Sequence, residues 1–282
     1  MYLCKYVLCK IGIFILMIYL SIMRTKTFLI ILICNITISI LHAQPGKKSS
    51  MGDQPVYRTQ KSSGSISIDG KMDEPSWQKA ETRTLDYYYR WDKVPVPDKQ
   101  KTVFRMLWDE ENLYLFYECK DSCLTAREKN HDSEPYYDDC AEFFCIPVAD
   151  SLNIHFAFEL NLYKVAYDFV QFENFYNGKP AVIKSYNPAY KVGVTYEGTL
   201  NDDTDKDKGW KMEIAIPFSV LANTNSFFPA KKGTRWTFQA ARQDRNVLSD
   251  RSRTGSVIFP LNNITKNIHQ SSRFGLMEFV ED

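Results

Sequence analysis

The stretch Ser67-Ile68-Asp69-Gly70-Lys71-Met72-Asp73-Glu74-Pro75-Ser76-Trp77 decides how this chain is read. Ile66 and Ile68 end a strand, Gly70 turns the chain, and a short helix begins. Asp73 is a good N-cap, Glu74 suits the positive end of a helix, and Pro75 falls in its first turn. Trp77 is then placed to pack inward.

Upstream of it, residues 1–43 hold two apolar runs, Tyr6–Met23 and Phe28–Leu41, and no acid. The second run has the layout of a secretory signal. Arg24 and Lys26 form its basic start, Phe28–Leu41 its apolar centre, and His42-Ala43-Gln44 its small-residue cleavage site. Residues 1–22 then read as an overextended gene start, with Met23 the natural initiator. The competing reading is a membrane anchor over Leu3–Leu20, which Lys5 and Lys10 interrupt. Ile33 before Cys34 argues against a lipidated cysteine. Ser, Gly and Lys dominate 46–65, so residues 44–65 read as a linker and 66–282 as the folded domain. The expectation is an exported protein, periplasmic, cell-surface or secreted, with no stable membrane span once the signal is removed.

After residue 43 the chain carries 31 basic and 34 acidic residues. That balance gives no argument for nucleic acid or an anionic membrane as partner. Strands are expected over Thr102–Trp108, Leu113–Cys119, Cys140–Ile146, Ile154–Asn161, Lys164–Val170, Tyr190–Tyr196, Trp210–Ile216, Arg235–Arg242, Val257–Pro260 and Phe274–Val280. Two short helices, Glu74–Ala80 and Phe218–Ala222, accompany them. Alternation is clearest in 154–161: Ile154, Phe156, Phe158 and Leu160 face one way, His155, Glu159 and Asn161 the other. The fold class expected is an all-β antiparallel sandwich, jelly-roll-like, with one core face and one wetter face where a ligand can lie.

Four cysteines remain after the signal, Cys119, Cys123, Cys140 and Cys145, and four permit three complete pairings. Zinc is the competing use, although C-x3-C then C-x4-C is not the usual ribbon spacing. Cys145 alternates with Ala141 and Phe143 and reads as a buried thiol. One disulfide closing the 121–139 loop, Cys123 with Cys140, is expected. Asp203-Thr204-Asp205-Lys206-Asp207-Lys208-Gly209 opens like a calcium loop, but Gly209 comes one place late and Ile214 stands where the closing Glu belongs. An acidic turn is the better reading.

Later segments repeat the order of a known module. Leu107-Trp108-Asp109-Glu110-Glu111-Asn112-Leu113-Tyr114, Asp138-Asp139-Cys140-Ala141-Glu142-Phe143, Trp210-Lys211-Met212-Glu213-Ile214-Ala215-Ile216-Pro217 and Arg273-Phe274-Gly275-Leu276-Met277-Glu278-Phe279 follow the opening stretch in sequence. Together, from 66 to 279, they resemble a family 9 carbohydrate-binding module, a β-sandwich related to the wider group of sugar- and haem-binding sandwiches. The resemblance implies a sugar held between aromatic side chains, with polar groups reading its hydroxyls. By position it points to Tyr136 or Tyr137 as an aromatic wall, to Glu142 on the following strand, and to Arg242 in Ala241-Arg242-Gln243-Asp244 at the polar rim. The late loop, 243–255, contains no Trp, Tyr or Phe, so a second wall is missing there; Trp91 is the candidate substitute. The resemblance also implies structural calcium, with Asp121, Asp138 and Asp139 as oxygen donors.

The function read from this is non-catalytic carbohydrate binding, with oligo- or polysaccharide as ligand and glycoside hydrolases as partners. No G-x-S-x-G, H-E-x-x-H or phosphate loop is present, and no spacing pairs two acids at a cleft. The rivals are a hydrolase-associated subunit with a hydrolytic role, an interaction sandwich that has lost its sugar site, and a haem carrier using Met106, Met212 or His155 as axial ligand.

Overall fold

The computed structural model describes residues 56–90, 96, 98–221, 229–249, 252–262 and 268–281. The expected signal region and Trp91 lie outside these residues. The strands are β1 Tyr57–Lys61, β2 Thr82–Thr84, β3 Tyr87–Tyr89, β4 Thr102–Trp108, β5 Asn112–Lys120, β6 Cys140–Ile146, β7 Ile154–Asn161, β8 Ala166–Tyr176, β9 Lys179–Ile183, β10 Lys191–Glu197, β11 Gly209–Pro217, β12 Arg235–Asp244, β13 Thr254–Val257 and β14 Gly275–Val280. Among the described residues a single α-turn, α1, covers Ser76–Lys79. Hydrogen bonding runs continuously in the order β10-β11-β5-β4-β1-β14-β12-β6-β7-β8-β9. β1 is the seam, parallel to both β14 and β4; the other pairings are antiparallel.

The sheet folds back on itself into a β-sandwich. The principal core lies between its halves: Phe104, Leu115 and Met212 from β4, β5 and β11 meet Phe143, Phe158 and Phe238 from β6, β7 and β12. Phe104 stacks on Phe238 with ring centroids 6.2 Å apart. Alternation decides this, because every second residue of each strand points between the halves. A smaller apolar cluster, including Tyr89, Phe144, Phe169, Ile268 and Phe274, covers part of the opposite face of β6–β8 and β12.

The opening stretch owes its shape to a residue 136 positions away. Glu213 of β11 accepts Trp77 Nε1–H at 3.1 Å on Oε1, and the backbone N–H groups of Asp69 and Gly70 at 3.1 and 3.2 Å on Oε2. Burial pushes the Glu213 carboxyl up to about 7. Gly70 has φ +82°, and a Cβ there would lie 2.8 Å from the Val194 backbone. Glycine is therefore required twice, for the left-handed conformation and for the close approach.

Several sequence expectations shift. Asp73 does not cap α1, whose N-cap is Pro75; Glu74 instead accepts the Ser67 N–H at 2.8 Å. The stretch read as a linker contains β1, whose Tyr57 and Thr59 are buried. The short strands β2, β3 and β9 went unread. The acidic run at 203–209 is a turn: Asp207 accepts N–H from Thr199 and Leu124 at 2.7 and 2.6 Å and ties two loops together. The four cysteines are buried free thiols. Cys123–Cys140 is thus not a disulfide: Cys140 Sγ lies against its neighbour's carbonyl, Ala141 O, at 3.6 Å, and Cys123 Sγ lies 4.0 Å from Thr125 Oγ1. Burial raises the Cys123 thiol to about 11, which keeps it protonated.

Replacing Glu213 with Ala leaves three donors unpaired in a buried site and is expected to cost about 3 kcal/mol. Urea unfolding checks this: the midpoint should fall with the slope unchanged, and Glu213→Gln, which keeps one acceptor, should lose less.

Candidate functional site

The face of β6–β8 and β12 turned away from the principal core carries the wetter set of side chains. In register, Glu142 of β6 faces Glu159 of β7, and Glu159 faces Tyr167 of β8. Phe169 and Gln171 continue the same face of β8, and Gln243 joins from β12. Tyr136, on the 3-10 turn Pro135–Tyr137, rises beside them, with its ring 5.9 Å from Tyr167. Arg253 and His269 arrive from the loops before and after β13. Together these groups line a cleft of about 240 Å³, open to solvent.

The floor of the cleft is a pair of carboxylates. Gln243 Nε2 donates to both Glu142 oxygens at 3.0 and 3.2 Å. Glu159 has His269 Nε2 3.6 Å from Oε1, while its buried Oε2 has no hydrogen-bond partner. Burial pushes Glu142 up to about 7, against the pull of Gln243 and Arg253. Burial, then repulsion from Glu142, lifts Glu159 well above the usual carboxylate range. Two acids facing each other in a dry floor cannot both ionise cheaply. Arg253 lies over the Tyr137 ring at 4.4 Å and the Tyr136 ring at 5.6 Å, and its Nε donates to Gln243 Oε1 at 3.1 Å. Behind the cleft His155 Nε2 and His269 Nδ1 lie 3.0 Å apart. Burial lowers His269 to about 3 and His155 well below its ordinary value, so both rings stay neutral.

Of the residues read from the sequence, Tyr136 and Glu142 line the cleft, and Tyr137 supports it through the Arg253 stack. Arg242 does not reach it. It points between the sheet halves, where it is 1% exposed. There Nη2 meets Asp121 Oδ2 at 2.8 Å and Asp244 Oδ1 at 3.2 Å, while Nη1 donates to Lys120 O at 2.8 Å. Its guanidinium also lies over the Trp210 ring at 5.5 Å. Alternation explains the miss: Arg242 and Gln243 are neighbours and face opposite ways. Glu159 stands on the polar side of an alternation plain in the sequence. Arg253 and Tyr167 carried no local signal. Met106 and Met212 are buried in the principal core, and His155 Nε2 lies against His269 Nδ1.

The expected calcium donors divide. Asp138 bonds Arg127 N, Glu128 N and Asn161 Nδ2, each at 2.9 Å, and staples the loop. Asp121 and Asp139 instead gather with Asp244, ligand atoms within 4.8 Å of one another. Both oxygens of Asp139 accept backbone N–H groups, from Thr125 and Arg245. Those of Asp121 accept from Cys123, Trp210 and Arg242. With the Arg242 guanidinium among them, these residues fit an arginine rather than a calcium ion. A second group joins exposed His131 and Asp132 to buried Asp168, with ligand atoms again within 4.8 Å of one another.

Arg242→Met would remove the cation that pairs with buried Asp121 and Asp244 and is expected to cost about 3–5 kcal/mol. Thermal unfolding with and without chelator checks both halves of this reading: a large loss in the variant, and no effect of chelator on this node in the parent protein.

The carbohydrate family 9 binding domain-like model matches residues 68–281. No curated protein matches the chain. Among solved structures, it is similar to a family 9 carbohydrate-binding module from Caldicellulosiruptor kristjanssonii in complex with cellotriose: 18% identity, 80% of this chain and 94% of the other covered, TM-score 0.54. The module from that organism in complex with glucose gives 18% identity, 80% and 96% coverage and TM-score 0.51. A Bacteroides uniformis protein, described as carbohydrate-binding by inference, gives 18% identity, 79% and 98% coverage and TM-score 0.58. At this identity the likeness establishes the fold.

Proposed function

The chain belongs to the carbohydrate family 9 binding domain-like family, and from that premise we propose that it binds a saccharide in the cleft floored by Glu142 and Glu159. The observation that carries the reading is the pairing of aromatic surface with buried, under-satisfied polar groups. Tyr136, Tyr167 and Phe169 offer faces for the C–H surface of a pyranose ring. Glu159 Oε2 lacks a donor and Gln171 Nε2 lacks an acceptor, and a sugar hydroxyl is both. Tyr167 supplies from β8 the aromatic surface that the late loop lacks.

In this reading the protein works without catalysis. Glu142 and Glu159 stand side by side on one floor, whereas glycoside hydrolysis needs carboxyls flanking the bond. The signal-like 23–43 segment supports export, and glycoside hydrolases are the partners such a module would serve. An interaction sandwich is the alternative, favoured by the arginine that the late loop supplies where an aromatic was expected.

Calorimetry against glucose, cellotriose and xylo-oligosaccharides tests the proposal. Binding should weaken about tenfold in Tyr136→Ala and at least as much in Glu159→Ala. Among descriptions of this cleft, a blank panel would favour the interaction domain, and reducing-sugar release by pure protein would sink the non-catalytic reading.

A further inference from the structure

The cleft presents a saccharide with an unusual floor: two buried carboxyls directly opposite each other on neighbouring strands, one with an oxygen that no donor reaches. We propose that the facing Glu142–Glu159 pair holds one proton in the unliganded protein, that a bound saccharide expels it, and that the pair thereby selects neutral or amino sugars over uronates. This rests on the saccharide reading above and names the ligand class of that site.

The pair has too little compensation for two charges. From the late loop comes Arg253, held against Tyr137 and bonded to Gln243. From β12 comes the neutral Gln243 amide, which also bonds Tyr89 Oη at 3.1 Å. From β7 and the loop before β14 come His155 and His269, both neutral, with Glu173 of β8 behind them, 3.7 Å from His155 Nδ1. Lys184, 5.1 Å from the Tyr167 ring, stands outside the floor. One proton held by either carboxyl relieves the repulsion.

Occupancy changes that balance. Sugar hydroxyls, or the ammonium of an amino sugar, bring donors to Glu159 Oε2 and to Glu142, and donors to a carboxylate favour its ionised form. The O–H bond of the protonated carboxyl breaks, its electron pair stays on the carboxylate, and the proton leaves to solvent. Gln171 Nε2 takes a sugar oxygen as acceptor. A uronate brings a third carboxylate to the floor and no compensating donor, so it is rejected by charge.

Calorimetry with glucose, glucosamine and glucuronate, in two buffers of different ionisation enthalpy at pH 7, tests this. Glucose heats should differ between buffers by the equivalent of about half to one released proton. Glucose affinity should rise between pH 6 and pH 8, by up to about tenfold per pH unit where release is complete. Glucuronate should bind at least about tenfold more weakly than glucose, and glucosamine at least as well as glucose. Because Glu142→Gln and Glu159→Gln can lose binding, infrared spectra provide a second readout. The difference between parent and variant spectra at pH 7 should contain a buried carboxylic-acid band, and saturating the parent with glucose should remove that same component. Glucose binding with equal heats in both buffers, proton uptake, or preference for glucuronate overturns the inference alone. Absence of binding by all three sugars overturns the saccharide reading and this inference with it.

Discussion

Arg242 is the constraint on which the rest of the molecule turns. It carries a full charge into the space between the sheet halves, where an unpaired guanidinium would be prohibitive. Asp121, Asp244, Lys120 O and the Trp210 ring receive it, so the end of β5, β11 and β12 must converge at that point. Asp139, one residue before β6, joins the same node. The strand that floors the cleft and the strand that carries Gln243 are thereby registered to the opposite half of the sandwich. With Arg242 directed inward, strand alternation leaves Gln243 directed outward, onto Glu142.

A second long-range tie closes the other sheet half. Glu213 binds Trp77 and the Asp69–Gly70 turn, joining the start of the domain to β11. The two ties share a logic: a buried ionisable group is tolerated because several donors or acceptors converge on it, and that convergence fixes distant segments. Fewer partners converge on the cleft pair. Glu159 Oε2 is buried without a donor, and a folded protein retains such an atom at a cost that a ligand can relieve.

Much of the fold was legible in the residues. Cys140–Ile146 and Ile154–Asn161 were read at their observed bounds because alternation and flanking turns define them. The sandwich class followed from the number of such strands. Strands whose partners are remote were hidden: β1 lies parallel between β4 and β14 and carries only Tyr57 and Thr59 as its buried signal. The paired cysteines failed for a related reason, since spacing measures loop length and says nothing about where the sulfur atoms point.

At the site, the sequence by itself determined which residue types were available and which of them share one face of a strand. Tyr136 and Glu142, named through the family resemblance, both line the cleft. Only the tertiary structure decided that Glu159 faces Glu142, that Arg253 crosses from the late loop to Tyr137, and that Arg242 belongs to the aspartates rather than the cleft. Register, crossover and inward orientation are set by which strands become neighbours. That choice minimises unpaired buried charge over the whole sandwich, and no single segment contains it.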